Sequence, residues 1–306
     1  MPNPPGFDSI IYMNNGLSII IPAYNEEGVI GQVLTNLKAA LTAKGFIFEI
    51  IVVNDGSKDR TADEAASAGV KVVNHPYNKG YGTAVKSGVR EARYDWLAFY
   101  DADGQHTPES LISLLPFIGE YDMVVGARTG YKGPAIRQPG KMVLQWIANY
   151  LSNVKIPDIN SGLRLVRKDI FSRFAHLFPP QYGWTTAITL AAFKENYSLK
   201  YVPITILPRR GGKSMVRVSD AVRMFMLILR IILLFSPLRV FLPLALVSFL
   251  TGLFLAAGEL LIFGKLGKAE IIFFTAALFF FFFGLLMDQV AALRREISPR
   301  TDLREK

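Results

Sequence analysis

Two carboxylates one residue apart, Asp101 and Asp103, close an apolar run that begins at Trp96 and continues through Leu97, Ala98, Phe99 and Tyr100. An apolar run bounded by a charged turn has the pattern of a buried strand. On extended backbone, side chains at i and i+2 share one face, so the spacing predicts two carboxylates side by side. Such neighbours repel unless a cation lies between them. A hard divalent ion answers that need, because it takes oxygen ligands from one or two carboxylates and fills its other positions from phosphate groups. The competing reading is an acidic turn ahead of a helix, since Thr107-Pro108-Glu109 is a good helix start. Taken alone, the triplet leaves these two readings level.

The surrounding elements must carry that pair to a common edge. Leu17–Pro22 and Phe48–Val53 are further strand patterns, followed by Ala23-Tyr24-Asn25-Glu26-Glu27 and Asn54-Asp55-Gly56-Ser57. Val70–Val73 and Met123–Arg128 add two short strands. Val29, Val33, Leu34, Leu37 and Leu41 recur at helical spacing and predict a helix ending near Ala43. Thr61-Ala62-Asp63-Glu64 has the form of a capping box opening the next helix. Asn78-Lys79-Gly80-Tyr81-Gly82 opens another, running to about Arg93, and a further one is expected near Pro108–Ile118. Strand and helix alternating over short connections predict an α/β fold with a mostly parallel sheet. Ligands of such sheets bind at the carboxyl ends of the strands, and Tyr24, Asp55, Asp101, Asp103 and Arg128 all fall there.

Past Arg128 the pattern predicts a helix over Lys141–Asn153, a loop Asp158–Gly162 into a strand Leu163–Val166, a helix Thr185–Glu195 and a strand Leu199–Leu207. Next comes Arg209-Arg210-Gly211-Gly212-Lys213-Ser214. Basic side chains beside glycines suit close approach to phosphate oxygens; the alternative is a solvated surface loop.

Net charge is +9, from 34 Lys and Arg against 25 Asp and Glu, which favours anionic partners. Nucleic acid fits that charge and nothing else in the chain. With no cysteine, disulfides and thiolate metal sites are excluded. Residues 1–16 are rich in Pro and Asn, lack the order of a signal peptide and are expected to form a loose tail.

The C-terminal part has a different character. Residues 216–236 combine apolar side chains with Arg223 and Arg230 seven positions apart, the pattern of an interfacial amphipathic helix whose arginines reach lipid phosphates. Within 237–293, two runs (about 240–261 and 269–291) approach the roughly 20 apolar residues that a bilayer core requires. They are too apolar for a surface helix, and a buried hairpin in a soluble core is the lesser alternative. Two spans put both ends on one side. Arg294, Arg295, Arg300 and Arg304 in the tail 294–306 outweigh Lys265 and Lys268 in the turn, so the catalytic part and both termini are expected in the cytoplasm, on an integral membrane protein. Glu259, within a span, is a functional candidate by position.

Four segments in order carry a resemblance: Pro22-Ala23-Tyr24-Asn25-Glu26, Asn54 to Thr61, Asp101 to His106, and Ser161-Gly162-Leu163-Arg164. Over about residues 17–215 the chain resembles family 2 glycosyltransferases, and more narrowly the polyprenyl-phosphate hexose synthases. The resemblance implies a GT-A (Rossmann-like) fold with a C-terminal transmembrane hairpin. It also implies inverting transfer of a hexose from GDP-mannose, UDP-glucose or a UDP-N-acetylhexosamine to dolichyl or undecaprenyl phosphate. By the same resemblance Pro22, Tyr24, Glu26, Asp55 and Lys79 hold the donor, and Asp101, Asp103 and Gln105 ligate Mg²⁺ or Mn²⁺. Arg209 contacts the donor phosphates, while Arg128, Lys141, Arg164 and Lys213 grip the acceptor phosphate. Asp103, Arg128, Asp158 and Arg209 are the implied catalytic group, Asp158 as base or orienting residue. Two positions depart from the family pattern: Met215 stands where lysine is usual, and Gln145 where a small hydroxyl residue is common. The alternatives are a processive polysaccharide synthase, of whose Q-x-x-R-W element Gln181-Tyr182-Gly183-Trp184 is a superficial echo, and a non-catalytic nucleotide-sugar-binding scaffold. A homo-oligomer is compatible with the sequence, which sets no stoichiometry.

Overall fold

The computed structural model describes residues 16–129, 149–150, 156–208, 218–265 and 267–297. They fall into two units, residues 1–227 and 228–306.

The first unit is built on a seven-stranded sheet in the order β3-β2-β1-β4-β6-β5-β7. An inner strand, β1 (Leu17–Ala23), is buried at every position, as the unbroken Ile19-Ile20-Ile21 run requires of a strand covered on both faces. On one side lie β2 (Phe48–Asn54) and β3 (Lys71–Asn74), and on the other β4 (Trp96–Phe99), all parallel to β1. Sequence order therefore reverses direction between β1 and β4, and a doubly wound sheet opens its crevice at that switch point. β5 (Met123–Arg128) and β7 (Leu199–Ile204) pair in parallel, while β6 (Arg164–Arg167) runs antiparallel between β4 and β5. Phe99 is opposite Arg164, so β6 starts at the edge where β4 ends.

Helix α1 (Ile30–Ala43) turns Ile30, Val33, Leu34, Leu37 and Leu41 to the sheet, as the spacing predicts. Helix α2 (Thr61–Ser67) does not use its expected capping box. Thr61 instead donates to Asp59 and accepts from the Glu26 backbone, and Glu64 accepts from Gly28. Those side chains tie the β1 exit to the β2 exit rather than sealing a helix end. Helix α3 (Tyr81–Arg90) is shorter than expected. The stretch expected as one helix over Pro108–Ile118 divides into α4 (Pro108–Ile112) and a 3-10 turn, Leu115–Phe117, because Pro116 cannot continue the α-helical bonds. Helix α5 (Lys168–Phe174), only seven residues long, has no counterpart among the elements that the sequence pattern predicts, and α6 (Trp184–Lys194) is buried along most of its length. Of the helix expected over Lys141–Asn153, only Tyr150 and Asn149 lie among the described residues, and both are helical.

Helix α7 (Val218–Phe235) runs from the first unit into the second. In its first half Arg223 is exposed and donates to Gln181 at 2.8 Å. The second unit continues with α8 (Leu238–Phe263) and α9 (Ala269–Ile297), 26 and 29 residues long. At 1.5 Å per residue each exceeds the ~30 Å hydrocarbon core. Leu238–Ile262 and Ala269–Arg294 are apolar enough to cross a membrane, with mean hydropathy 2.3 in each. The helices pack as a hairpin: Phe241 meets Phe283 with ring centroids 5.0 Å apart, and a Cβ on Gly284 would sit 2.8 Å from that of Phe241. Their outer faces expose Phe254, Leu261, Ile272, Phe279 and Leu286. So much contiguous apolar surface marks a membrane contact. At the hairpin turn, Gly267 leaves room for the Glu259 carboxylate and donates its N–H to Glu270.

Candidate active site

The carboxyl edge of the sheet gathers most of the residues singled out above. β4 ends at Phe99, and Ala102–Asp103 already lie in a turn closed by Gly104 at φ 70. The pleat of an extended strand, expected to align the two carboxylates, is thus not what orients them. Asp103, 9% exposed, accepts from the Gln105 N–H at 3.1 Å, an Asx-type turn. Gln105 in turn pairs with Leu207: its carbonyl accepts from the Leu207 N–H at 2.8 Å, and its side-chain amide donates back at 3.4 Å.

Asp101 is fixed from two sides. The Tyr81 hydroxyl donates to Oδ1 at 2.8 Å, and His106 Nε2 lies 3.2 Å from Oδ2. Burial works against its ionised form, but the His106 hydrogen bond and charge, the Tyr81 hydrogen bond and the charge of Arg128 hold this carboxyl below the ordinary carboxylate range. Desolvation and the Asp101 charge push the Tyr81 hydroxyl well above its usual range, so it remains a donor. The Asp101 side chain is 31% exposed. Beside it runs Gly162, where a Cβ would come within 2.6 Å of Oδ2; only glycine leaves that carboxylate face open.

Arg128 ends β5 and is gripped by Asp158, with Nε donating to Oδ2 at 2.7 Å and Nη2 to Oδ1 at 2.9 Å. Burial of Asp158 is more than offset by these bonds and the guanidinium charge, which hold its carboxyl below the ordinary range.

On the β1–β2 side, Pro22 is buried within β1, Glu26 is 7% exposed and Tyr24 is half-buried. Asp55 is 3% exposed and accepts from Lys79 N–H at 2.9 Å and Gly80 N–H at 2.8 Å, with His75 Nδ1 at 2.6 Å. An ionised carboxylate has about four lone-pair positions, so Asp55 spends most of its capacity building the turn. The Lys79 ammonium sits 5.7 Å from the Tyr77 ring centre.

Arg164 is a correction. It is not at the surface with an acceptor phosphate but 0% exposed. Its guanidinium donates to the carbonyls of Ser161 and Thr185 and to the Thr189 hydroxyl, and lies 5.1 Å from the Trp184 ring. Burial pushes it down to about 10, still protonated at neutral pH. The strand pattern gave its position but not its direction, which the antiparallel insertion of β6 turns into the core. Lys141, Gln145, Arg209, Lys213 and Met215 lie outside the described residues. Tyr81, His75 and His106 were missed as partners of the site carboxylates; their bonds span 5 to 20 positions and depend on tertiary contact.

Two carboxylates and an amide oxygen are hard donors, suited to Mg²⁺ or Mn²⁺ rather than a soft metal. Among the described residues no cluster of three His, Cys, Asp or Glu side chains could enclose an ion. A two-carboxylate site completed by substrate oxygens is what this donor set fits.

A sheet whose switch-point edge collects these carboxylates and an Arg–Asp pair is a GT-A fold, the fold of glycosyltransferases that use nucleotide-sugars. Residues 18–174 match the family model of glycosyl transferase family 2, and residues 236–293 that of the GtrB C-terminal hairpin. The chain belongs to glycosyl transferase family 2. It is 31% identical over 227 residues to the uncharacterized protein MJ1222 of Methanocaldococcus jannaschii, covering 70% of this chain and 90% of that one. It is 29% identical over 210 residues to an undecaprenyl-phosphate mannosyltransferase of Micrococcus luteus, covering 64% and 85%. The glucosyl-3-phosphoglycerate synthase of Mycobacterium tuberculosis, solved with Mn²⁺, UDP and phosphoglyceric acid, shares the fold at TM-score 0.59 and 18% identity, over 72% of this chain and 79% of that one.

Proposed function

We propose that this glycosyltransferase moves a hexose, with inversion, from GDP-mannose, UDP-glucose or a UDP-N-acetylhexosamine to dolichyl or undecaprenyl phosphate, using Mg²⁺ or Mn²⁺. The observation that carries the reading is Asp101 at the β1/β4 switch point, opened by Gly162 and under the charge of Arg128, in a chain that continues into two membrane-length helices. The likeness to the undecaprenyl-phosphate mannosyltransferase of Micrococcus luteus supports the acceptor, and the Mn²⁺ and UDP of the mycobacterial synthase support the cofactor and donor class.

An acceptor-phosphate oxygen attacks the anomeric carbon; a C–O–P link forms as the C–O bond to the nucleoside diphosphate breaks. A hydroxyl acceptor would need a general base. A phosphate monoester does not, since its second pKa is near 6 and it is already anionic at pH 7. The difficulty is repulsion between two anions. Asp101, Asp103 and Gln105 would hold the divalent ion, which when bound neutralises the leaving diphosphate. Arg128 faces the acceptor phosphate, and Asp158 locks its plane. A carboxyl held below its ordinary range is a poor base, so Asp158 orients rather than abstracts. Pro22, Tyr24, Glu26, Asp55 and Lys79 form the donor side, partly through backbone. Leu207, two positions ahead of Arg209 in the sequence, is bonded to Gln105, which supports a phosphate role for Arg209 and, four positions further along the sequence, for Lys213. Lys141 remains a proposed acceptor contact on sequence grounds. The arginine-rich flanks favour a cytoplasmic catalytic unit.

The full chain in detergent, given labelled donors, either prenyl phosphate and Mn²⁺ or Mg²⁺, should yield a lipid-linked hexose. Chelation and Asp103→Ala should abolish it. Failure of every donor to label a prenyl phosphate would overturn the reading.

A further inference from the structure

We propose that Tyr81 is the positioning residue of the cation site, its hydroxyl holding the Asp101 carboxylate in the orientation from which it ligates. This rests on the metal-dependent reading above and goes beyond it.

A carboxylate rotates about a broad, roughly two-fold terminal torsion unless something holds it. At Asp101 two groups do: Tyr81 on Oδ1 and His106 on Oδ2. Tyr81 is the better aimed, because every part of it is fixed. It is the first residue of α3. Before it stands Gly80 at φ 99, where a Cβ would come within 2.6 Å of the Pro180 carbonyl. Asp55 binds the N–H groups of both Lys79 and Gly80. The ring is stacked on Tyr182 at 5.8 Å and lies 6.4 Å from Trp184. The hydroxyl cannot leave Asp101 unless the ring or the turn moves. One turn therefore joins the carboxylate at the end of β2 to the carboxylate at the end of β4. Hydrogen bonds to a ligating carboxylate commonly govern metal affinity by about 10–100-fold.

The test titrates Mn²⁺ into the full chain in detergent, with and without UDP, counting free ion by electron paramagnetic resonance. Tyr81→Phe keeps the ring and removes the donor. Its Mn²⁺ affinity should fall by about 10–100-fold while its melting temperature holds. In turnover, the Mn²⁺ needed for half-maximal rate should rise by a similar factor, with the rate at saturating Mn²⁺ largely recovered. Tyr182→Ala removes stacking but not the hydroxyl, and should stay within about threefold of the parent chain, well short of that loss. Parental affinity in Tyr81→Phe, with Asp101→Asn impaired, overturns the Tyr81 role and leaves the metal site standing. Equal losses in Tyr81→Phe and Tyr182→Ala assign the effect to packing and overturn it too. No Mn²⁺ bound by the parent chain overturns both readings.

Discussion

Arg128 and Asp158 meet fork to fork, with both guanidinium bonds under 3 Å and the Arg128 backbone N–H adding a third at 3.3 Å. Two parallel charge-assisted bonds fix a plane as well as a distance. The pair closes a 30-residue excursion between β5 and the loop before β6. Asp158→Asn keeps the shape and removes the charge. Acceptor KM should rise by at least tenfold with donor KM nearly unchanged, because the guanidinium loses its fixed plane. Stability at pH 7 should fall by about 2 kcal/mol, less than the ~3–5 for a fully buried pair, since Arg128 stays partly solvated. Steady-state kinetics with each substrate varied, and thermal unfolding in the same detergent, check both.

The same pair makes a pH prediction. Asp158 is held below the ordinary carboxylate range in the folded chain. A depressed acid contributes stability that is complete above its unfolded pKa, about 3.9 for aspartate, and is lost as pH falls through the lower native value. Asp158→Asn cannot lose it. The gap in melting temperature between parent and variant should therefore be widest near neutrality and close on acidification below about pH 4. A gap that stays constant would show that Asp158 does not act through its charge.

Gly162→Ala tests the open face of Asp101. The added Cβ would lie 2.6 Å from Oδ2 and 3.0 Å from Oδ1, closer than carbon and oxygen tolerate. The carboxylate must move, taking its bonds to Tyr81 and His106 with it. Activity should fall by two orders of magnitude or more, a misplacement effect of the size that about 1 Å produces in positioned sites. Melting temperature should drop by only a few degrees, because Asp101 is still partly solvated. Raising Mn²⁺ should restore part of the rate.

What the sequence made legible follows from range. Apolar periodicity is local, so β1, β2 and α1 stand where Ile19–Ile21, Ile50–Val53 and Leu34–Leu41 predict them. The strand-end rule then collects Asp55, Asp101 and Arg128 at one edge without any knowledge of pairing. Direction is another matter. The short run Arg164–Val166 fits a strand of either sense, and its antiparallel insertion between β4 and β5 is settled only by partners far along the chain, such as Phe99 and Val125, both paired with Arg164. Side-chain partners are equally non-local: Thr61 and Glu64 look like a helix cap and serve as cross-links to Glu26 and Gly28. The hairpin was legible for the opposite reason, since a membrane-length apolar run needs no partner to be recognised.

Arg164 separates a binding role from a structural one. As a phosphate ligand it would be replaceable at the cost of acceptor affinity alone. As found, it is a buried cation whose guanidinium satisfies the Ser161 and Thr185 carbonyls beneath the Gly162 turn. Arg164→Met fills similar volume and takes both guanidinium donors from the Ser161 carbonyl, at a cost of about 1–3 kcal/mol, while the Thr185 carbonyl keeps the Thr189 hydroxyl as donor. Arg164→Lys restores charge but reaches fewer acceptors, because an ammonium lacks the planar fork. Both variants should melt lower than the parent, methionine more than lysine. At a temperature where each remains folded, acceptor KM should change less than kcat, since the damage passes through Gly162 to Asp101. A normal melting curve with a raised acceptor KM would return Arg164 to the acceptor side and count against the buried arrangement.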